Sequence, residues 1–262
     1  MPRIALGLEY DGTNYYGWQH QKDSNIQTIQ QKLEQAISIV SDHSISTICA
    51  GRTDAKVHAM AQVVHFDTTA NRKIDAWIRG VNRYLPSDIR VLWSKLIDSG
   101  FNARKSALYR TYYYFIYNSN ISLGLFKNNF TWEYKKLNIL KMQQASSFWL
   151  GEHDFTSFRG SDCQSKSRFR TVHNIIISKQ NELIKIAITA NAFLQHMVRN
   201  MVGVLIKIGQ EKYDPVWAKE VLLARNRQKA SITAPAEGLY LAEVGYPECF
   251  DLPKITRGFN II

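Results

Sequence analysis

Arg52, Asp54, Lys56 and His58 place four ionisable side chains within seven consecutive positions, in Gly51-Arg52-Thr53-Asp54-Ala55-Lys56-Val57-His58. Ile45 to Ala50, just before, is short, β-branched and apolar, as a buried strand would be. Gln62-Val63-Val64-His65-Phe66, just after, reads as a second strand. Loops held by rigid strands are where binding and catalysis concentrate. An Asp in such a turn serves one of two ends. It caps a backbone N–H, with the nearby Arg a solvated neighbour. Alternatively it stays ionised in a partly buried place, kept so by a cation such as Arg52. At ~4 Å and an effective dielectric near 20, that attraction is about 4 kcal/mol before desolvation is subtracted. An ionised, positioned carboxylate can act as a nucleophile.

The elements that must hold this loop follow from periodicity. Ile4 to Tyr10 reads as a strand, and Asp11-Gly12-Thr13-Asn14 as a turn cluster. Tyr15-Tyr16-Gly17-Trp18 then puts three aromatics beside Gln19, His20 and Gln21, as a rim of the core or as a stacking surface for a ligand, RNA among those considered below. A helix is predicted over 28–41, with Ile29, Leu33, Ala36, Ile37 and Val40 on one face and Thr28 with Gln31 as a capping box. A second, over 75–85, gathers Ile74, Ile78, Val81 and Leu85 and stops at Pro86. Arg72, Lys73, Arg79 and Arg83 lie off that stripe.

Ile89 to Leu96 is predicted as a strand, and Arg110 to Tyr117 as another by composition. Alternation puts Tyr112, Tyr114 and Ile116 on one face, a pattern most common in cores. Residues 118–135 lack periodicity and read as a loop. Leu137 to Leu150 reads as a helix ending at Gly151. Gly151 to Arg170 reads as a long basic loop, with Arg159, Lys166, Arg168 and Arg170, either suited to a phosphate backbone or simply mobile. Val172–Ile177 and Leu183–Thr189 are predicted to pair around Gln180-Asn181. A helix over 191–208 carries Leu194, Val198, Met201, Leu205 and Ile208, with Arg199 half-buried at its apolar margin. Such an Arg needs an anionic partner, for which a structural acid would suffice. A helix over 215–224 and a strand over 239–244 complete the order. Parallel crossovers are too few for a doubly wound fold, so the class is α+β, helices covering a largely antiparallel sheet.

Composition sets the outer bounds. A chain of 262 residues holds one large domain or two small ones, and 45% apolar content supports a real core. The formal charge is +11, from 33 Lys and Arg against 22 Asp and Glu. That balance favours an anionic partner: RNA, DNA or an anionic membrane surface. Cys49, Cys163 and Cys249 are far apart, and no zinc-binding spacing accompanies them. Three such cysteines and no secretory signal fit a reducing cytosol. No apolar run approaches the ~20 residues of a spanning helix.

The segment Gly51-Arg52-Thr53-Asp54-Ala55-Lys56-Val57-His58-Ala59 closely resembles the catalytic signature of the tRNA pseudouridine synthase A (TruA) family, Gly-Arg-Thr-Asp, any residue, Gly-Val-His. The chain departs at Lys56, where the family usually has Gly. A backbone needing positive φ there would strain Lys. The resemblance continues through Leu8-Glu9-Tyr10-Asp11-Gly12 and Tyr16-Gly17-Trp18-Gln19. It is carried on by Asp154-Phe155-Thr156-Ser157-Phe158, by Asn191 to Asn200, and by Ala236-Glu237-Gly238-Leu239-Tyr240-Leu241. It covers nearly the whole chain, in order.

The resemblance implies a pseudouridine synthase fold of two related α/β halves sharing a sheet, with the active-site cleft between them. We place the halves at 1–105, carrying the Asp loop, and 106–262, carrying the Tyr strand and the Arg helix. It implies isomerisation of uridine to pseudouridine at positions 38, 39 and 40 of the tRNA anticodon stem-loop. Asp54 would be the nucleophile, Tyr112 the platform for the target uracil, and Arg199 the cation paired with Asp54. Arg52 would hold the flipped nucleotide or a phosphate, and Leu239 or Leu241 would wall the pocket. Whether the carboxylate attacks C1′, adds to C6 or removes a ribose proton is open at this level. The redox-neutral reaction needs no cofactor and no metal. The partner would be tRNA and no membrane, the quaternary state a homodimer and the location cytoplasmic. A non-catalytic RNA-binding protein on the same fold is one rival. A base-excising glycosylase is another, distinguished by release of free base. A glycoside hydrolase would need a second carboxylate across the scissile bond.

Overall fold

β1 (Arg3–Tyr10) lies between two antiparallel partners, β3 (His58–Asp67) and β4 (Ile89–Ile97). Its residues Ile4, Ala5, Leu6 and Leu8 are buried, as a strand covered on both faces requires. The computed structural model describes residues 1–21 and 26–254. The chain divides into two compact units. One is Met1–Leu108 with the segment that starts at Tyr240, and the other is Tyr109–Leu239.

In the first unit the strands run in the order β4-β1-β3-β10, where β10 is Leu239–Gly245 and its Tyr240 and Leu241 pair parallel to His58 and Ala59. The short β2 (Ile48–Cys49) pairs antiparallel to β3, Cys49 opposite Val64. The strand expected from Ile45 thus shrinks to two residues, and β3 starts at His58, immediately after the ionisable loop. α1 (Ile29–Ser41) buries Ile29, Leu33, Ala36 and Ile37. Thr28 caps it, Oγ1 accepting from Gln31 N at 3.3 Å. α2 (Ile74–Tyr84) buries Val81 of the expected stripe, with Leu85 just beyond it buried and Ile78 half-buried, but is turned towards Trp77. Trp77 and Val81 are its buried residues while Ile74 is exposed, because Trp77 packs edge-on against Phe66 at 5.2 Å. A core cluster of Ala5, Ala50, Val63, Trp93, Phe101 and Ala103 is closed from the C-terminal side by Val244, Tyr246, Phe250 and Leu252.

The second unit has strands ordered β5-β9-β8-β7, all neighbours antiparallel. These are β5 (Tyr109–Asn118), β7 (Gly151–Asp154), β8 (Phe169–Gln180) and β9 (Leu183–Ala190). β6 (Thr131–Glu133) pairs parallel to β5, so the expected loop 118–135 contains one short strand. The helices are α3 (Ile139–Ser147), α4 (Met197–Gly209) and α5 (Trp217–Ala224). α4 starts six residues later than the apolar period suggests. Asn191 Oδ1 accepts from Thr171 N at 3.1 Å and Ala192 N at 2.7 Å, holding this stretch off the helix, and His196 enters α4 with φ of 62°. Part of the expected basic loop 151–170 is likewise ordered, as β7 and a 3₁₀ turn at Thr156–Phe158. Most strand pairs in both units are antiparallel and helices pack beside them, an α+β arrangement.

Candidate active site

The loop between β2 and β3 is held by backbone and buried side-chain bonds on nearly every residue. Ala50 N donates to Val63 O at 2.8 Å. Gln62, fully buried on β3, donates from Nε2 to Gly51 O at 2.7 Å. Thr53 Oγ1 and Tyr10 OH lie 2.8 Å apart, and Trp18 N donates to Thr53 O at 3.0 Å. Lys56 N donates to Tyr15 O at 3.1 Å, and Val57 N to Asp54 O at 3.2 Å. The segment 10–18 therefore forms a template against which residues 53–57 are moulded. Two glycines permit that closeness. A Cβ on Gly12 would stand 2.1 Å from Val57 O, and Gly17, at φ of 91°, would place one 2.8 Å from Thr53 O. In the sequence these residues stand out only as parts of motifs, with no positioning role. The available signal was a pair of glycines among aromatics just after the first strand.

At the end of the loop, His58 is buried with its ring stacked on Tyr240, centroids 4.6 Å apart. Its Nδ1 lies 3.1 Å from both Gly12 N and Asp11 Oδ1. The Gly12 N–H donates to Nδ1, and with Asp11 beside it and Tyr240 against its face the ring is held in place. The His58 ring, with Thr13 N–H and hydroxyl donors on Asp11 Oδ1, holds the Asp11 carboxyl well below the usual carboxylate range.

Within this loop only certain groups can react. Burial pushes the Cys49 thiol up to about 12, so it stays protonated and a poor nucleophile. The Thr53 hydroxyl is buried against Tyr10. Asp54 is partly exposed and Arg52 and Lys56 are exposed, so an incoming ligand meets a carboxylate and two cations. Lys56 adopts φ of 65°, the left-handed region that favours glycine. Lys56→Gly is expected to stabilise the protein by about 0.5–1 kcal/mol, since relief of ~1–2 kcal/mol of strain exceeds the entropy glycine adds to the unfolded chain. A urea titration checks this, as a higher midpoint at unchanged slope.

The second unit carries the other expected residues. Tyr112, on β5 opposite Ile188, is buried, its ring edge-on to Phe193 at 5.0 Å and 83°. Arg199, on the first turns of α4, is half-buried, as its place on the apolar margin implies. Its Nε donates to Ala234 O at 2.8 Å, and its own carbonyl accepts from Ala234 N at 3.1 Å. The next residue, Asn200, is fully buried and donates from Nδ2 to Phe158 O at 2.7 Å. Its Oδ1 accepts from Arg227 Nη2 at 3.0 Å and Thr233 Oγ1 at 2.7 Å. Tyr114 OH donates to Pro235 O at 2.9 Å, and Phe115 N to Gly238 O at 2.8 Å. The segment 233–238 is thus fastened to α4 and β5, and Leu239, buried, follows it at the start of β10.

Among the described residues no group of three or more His, Cys, Asp or Glu could hold a metal ion. No helix among them is long and apolar enough to cross a membrane.

A family profile described as tRNA pseudouridine synthase matches residues 8–102 and 145–247. A tRNA pseudouridine synthase A from Colwellia psychrerythraea is 50% identical over 256 residues, covering 98% of this chain and 98% of that protein. One from Alcanivorax borkumensis is 47% identical over 258 residues, covering 98% and 96%. One from Coxiella burnetii is 46% identical over 258 residues, covering 98% of each.

Proposed function

Because the chain belongs to the tRNA pseudouridine synthase family, we propose that it isomerises uridines at positions 38, 39 and 40 of tRNA, with Asp54 as the nucleophile. The observation that carries this reading is the Asp54 loop itself, held on both sides of the carboxylate by Tyr10, Tyr15, Trp18 and Gln62. Such holding keeps a reacting group in place before substrate arrives.

In the reaction, the N1–C1′ bond of uridine breaks and a C5–C1′ bond forms. The C5 proton leaves, N1 gains one, and nothing is oxidised or reduced. The uracil must leave the helical stack first, at a few kcal/mol. Tyr112, fixed by Phe193, is the platform that recovers about 1–3 kcal/mol per base by stacking. Arg52 meets the nucleotide or its phosphate, Arg199 supplies positive charge towards the anionic centre, and Leu239 supplies an apolar wall. The enzyme works as a homodimer on tRNA in the cytoplasm.

The test is pseudouridine mapping on an unmodified tRNA transcript, by carbodiimide labelling and primer extension. New stops in the anticodon stem-loop support the reading. Bound tRNA without any stop would instead favour a non-catalytic RNA-binding role. For Tyr112→Leu we expect turnover roughly 5- to 150-fold lower, the kinetic equivalent of about 1–3 kcal/mol, with KM changed only a few-fold. Tritium release from tRNA labelled at uridine C5 measures it, and unchanged kinetics would return Tyr112 to a purely core role.

A further inference from the structure

The start of α3 and the end of α4 are stapled together within the second unit. Asn138 N donates to Gly209 O at 2.8 Å, and Asn138 Nδ2 to Glu211 Oε1 at 3.1 Å. Gln210 Nε2 donates to Glu133 Oε2 at 2.9 Å. The junction gathers Lys135, Lys207 and Lys212. Glu133 accepts from Lys135 N at 2.9 Å as well as from Gln210, and Lys212 N donates to Lys207 O at 3.1 Å, so all three belong to this one junction. In keeping with that, Lys207, then Lys135, hold the Lys212 ammonium below its usual value. Like charges gathered on a surface repel. Lys135 Nζ lies over the Tyr134 ring at 5.7 Å and Glu133 attracts Lys212, and these two local contacts leave most of the gathered charge unexplained.

The negative end of α4 does not require them. Ile206 O and Ile208 O accept from Gln210 N and Glu211 N at 2.8 Å, and Lys207 O accepts from Lys212 N at 3.1 Å. Gly209 O is already taken by Asn138, so the helix carbonyls are satisfied by backbone donors. The neighbouring carboxylates are also engaged. Glu211 accepts from Lys141 Nζ at 3.0 Å as well as Asn138, and Glu133 accepts from Gln210 and from Lys135 N. Lys135 and Lys212 are exposed, so packing does not explain those two, while Lys207 on α4 is half-buried. Around the three, Lys136 is exposed, as are Tyr134 at 56% and Tyr213 at 46%, the latter stacked on Trp217 at 3.9 Å.

We propose that Lys135, Lys207 and Lys212, flanked by Tyr134 and Tyr213, form an RNA contact that grips the phosphodiester backbone of the substrate tRNA. This rests on the reading that tRNA is the substrate. Lysines gathered at one junction beside exposed rings suit a strand of phosphates and bases: the cations displace counterions, and the rings stack on unpaired bases. An anionic membrane would be met better by charges spread over a plane.

The experiment compares wild type with the Lys135→Gln/Lys207→Gln/Lys212→Gln triple variant and with its three-Arg counterpart. tRNA affinity is measured across a salt series, kinetics at each tRNA concentration, and binding to phosphatidylserine vesicles in parallel. The Gln variant should show a salt slope shallower by about 2–3, at ~0.7–0.9 per phosphate contact. Its loss should fall on KM rather than kcat, as for binding shared by ground and transition states. The Arg variant should keep the wild-type slope. Equal slopes for wild type and the Gln variant would overturn the proposal, as would loss of vesicle binding alone. If wild type makes no pseudouridine, the functional reading fails while the slope comparison still reads this site. Equal slopes with intact pseudouridine formation would sink this site alone.

Discussion

Asp54→Ala is expected to lower pseudouridine formation by at least about a thousand-fold, the scale seen when a nucleophile is removed. The same variant should bind tRNA within a few-fold of wild type. The difference follows from how the loop is built. Its anchors are Gly51, Thr53, Lys56 and Val57 groups bonded to Gln62, Tyr10, Trp18, Tyr15 and the Asp54 carbonyl. The substitution leaves these in place, so the loop keeps its course and loses its carboxylate. Asp54→Glu is expected to fail too, by about 100-fold. The held backbone cannot retreat by the length of a methylene, and ~1 Å of misplacement costs about 100-fold. Mapping on one transcript with wild type, Ala and Glu variants, beside a tRNA binding curve for each, checks both. Residual turnover above a tenth of wild type in the Ala variant would remove Asp54 from the nucleophile's role.

Gly12→Ala is the second large effect. The new Cβ would stand 2.1 Å from the Val57 carbonyl oxygen and 2.7 Å from its carbon. Both neighbours are backbone, so the segment 10–18 or the loop must shift. Forced overpacking of this kind costs about 1–3 kcal/mol. Any shift also moves Val57, whose N–H is bonded to the Asp54 carbonyl, so kcat is expected to fall by about 100-fold. Gly124→Ala is the control, since nothing lies within 4 Å of its added Cβ. Urea midpoints and turnover measured on both variants decide the matter. A Gly12→Ala enzyme with wild-type kcat would mean that segment 10–18 does not position the loop.

Much of this architecture is legible in the chain, for reasons that differ by element. α1 reads cleanly because its apolar positions and its Thr28 cap agree. The hairpin of β8 and β9 reads cleanly because Asn181 tolerates the φ of 53° its turn needs. The backbone demand at Lys56 is legible only through the resemblance, since Lys itself gives no hint of positive φ. α2 reads correctly at Val81 and Leu85 and misleads at Ile74, which matches the period but is exposed because the bulk of Trp77 turns the helix. α4 misleads because the Asn191 side chain competes for backbone groups that periodicity would assign to helix. The moulding of residues 53–57 onto 10–18 is illegible for a further reason. It rests on backbone bonds between segments some forty residues apart, and no residue type encodes those directly.

The parallel pairing of Tyr240 and Leu241 with His58 and Ala59 has a consequence for the order of biosynthesis. The first unit borrows its last strand, and the Val244, Tyr246, Phe250 and Leu252 side chains that close its core, from residues that follow the entire second unit. A ribosome delivers the Asp54 loop early and the strand beside it late. The nascent chain must therefore keep an unfinished N-terminal core waiting, with β3 lacking its neighbour, while Tyr109–Leu239 are made. Such exposed strand edges and apolar surfaces are what chaperones capture. Ribosome-stalled chains ending before Tyr240 are expected to be protease-sensitive in the first hundred residues, and those extending through Leu252 beyond the exit tunnel to be protected there.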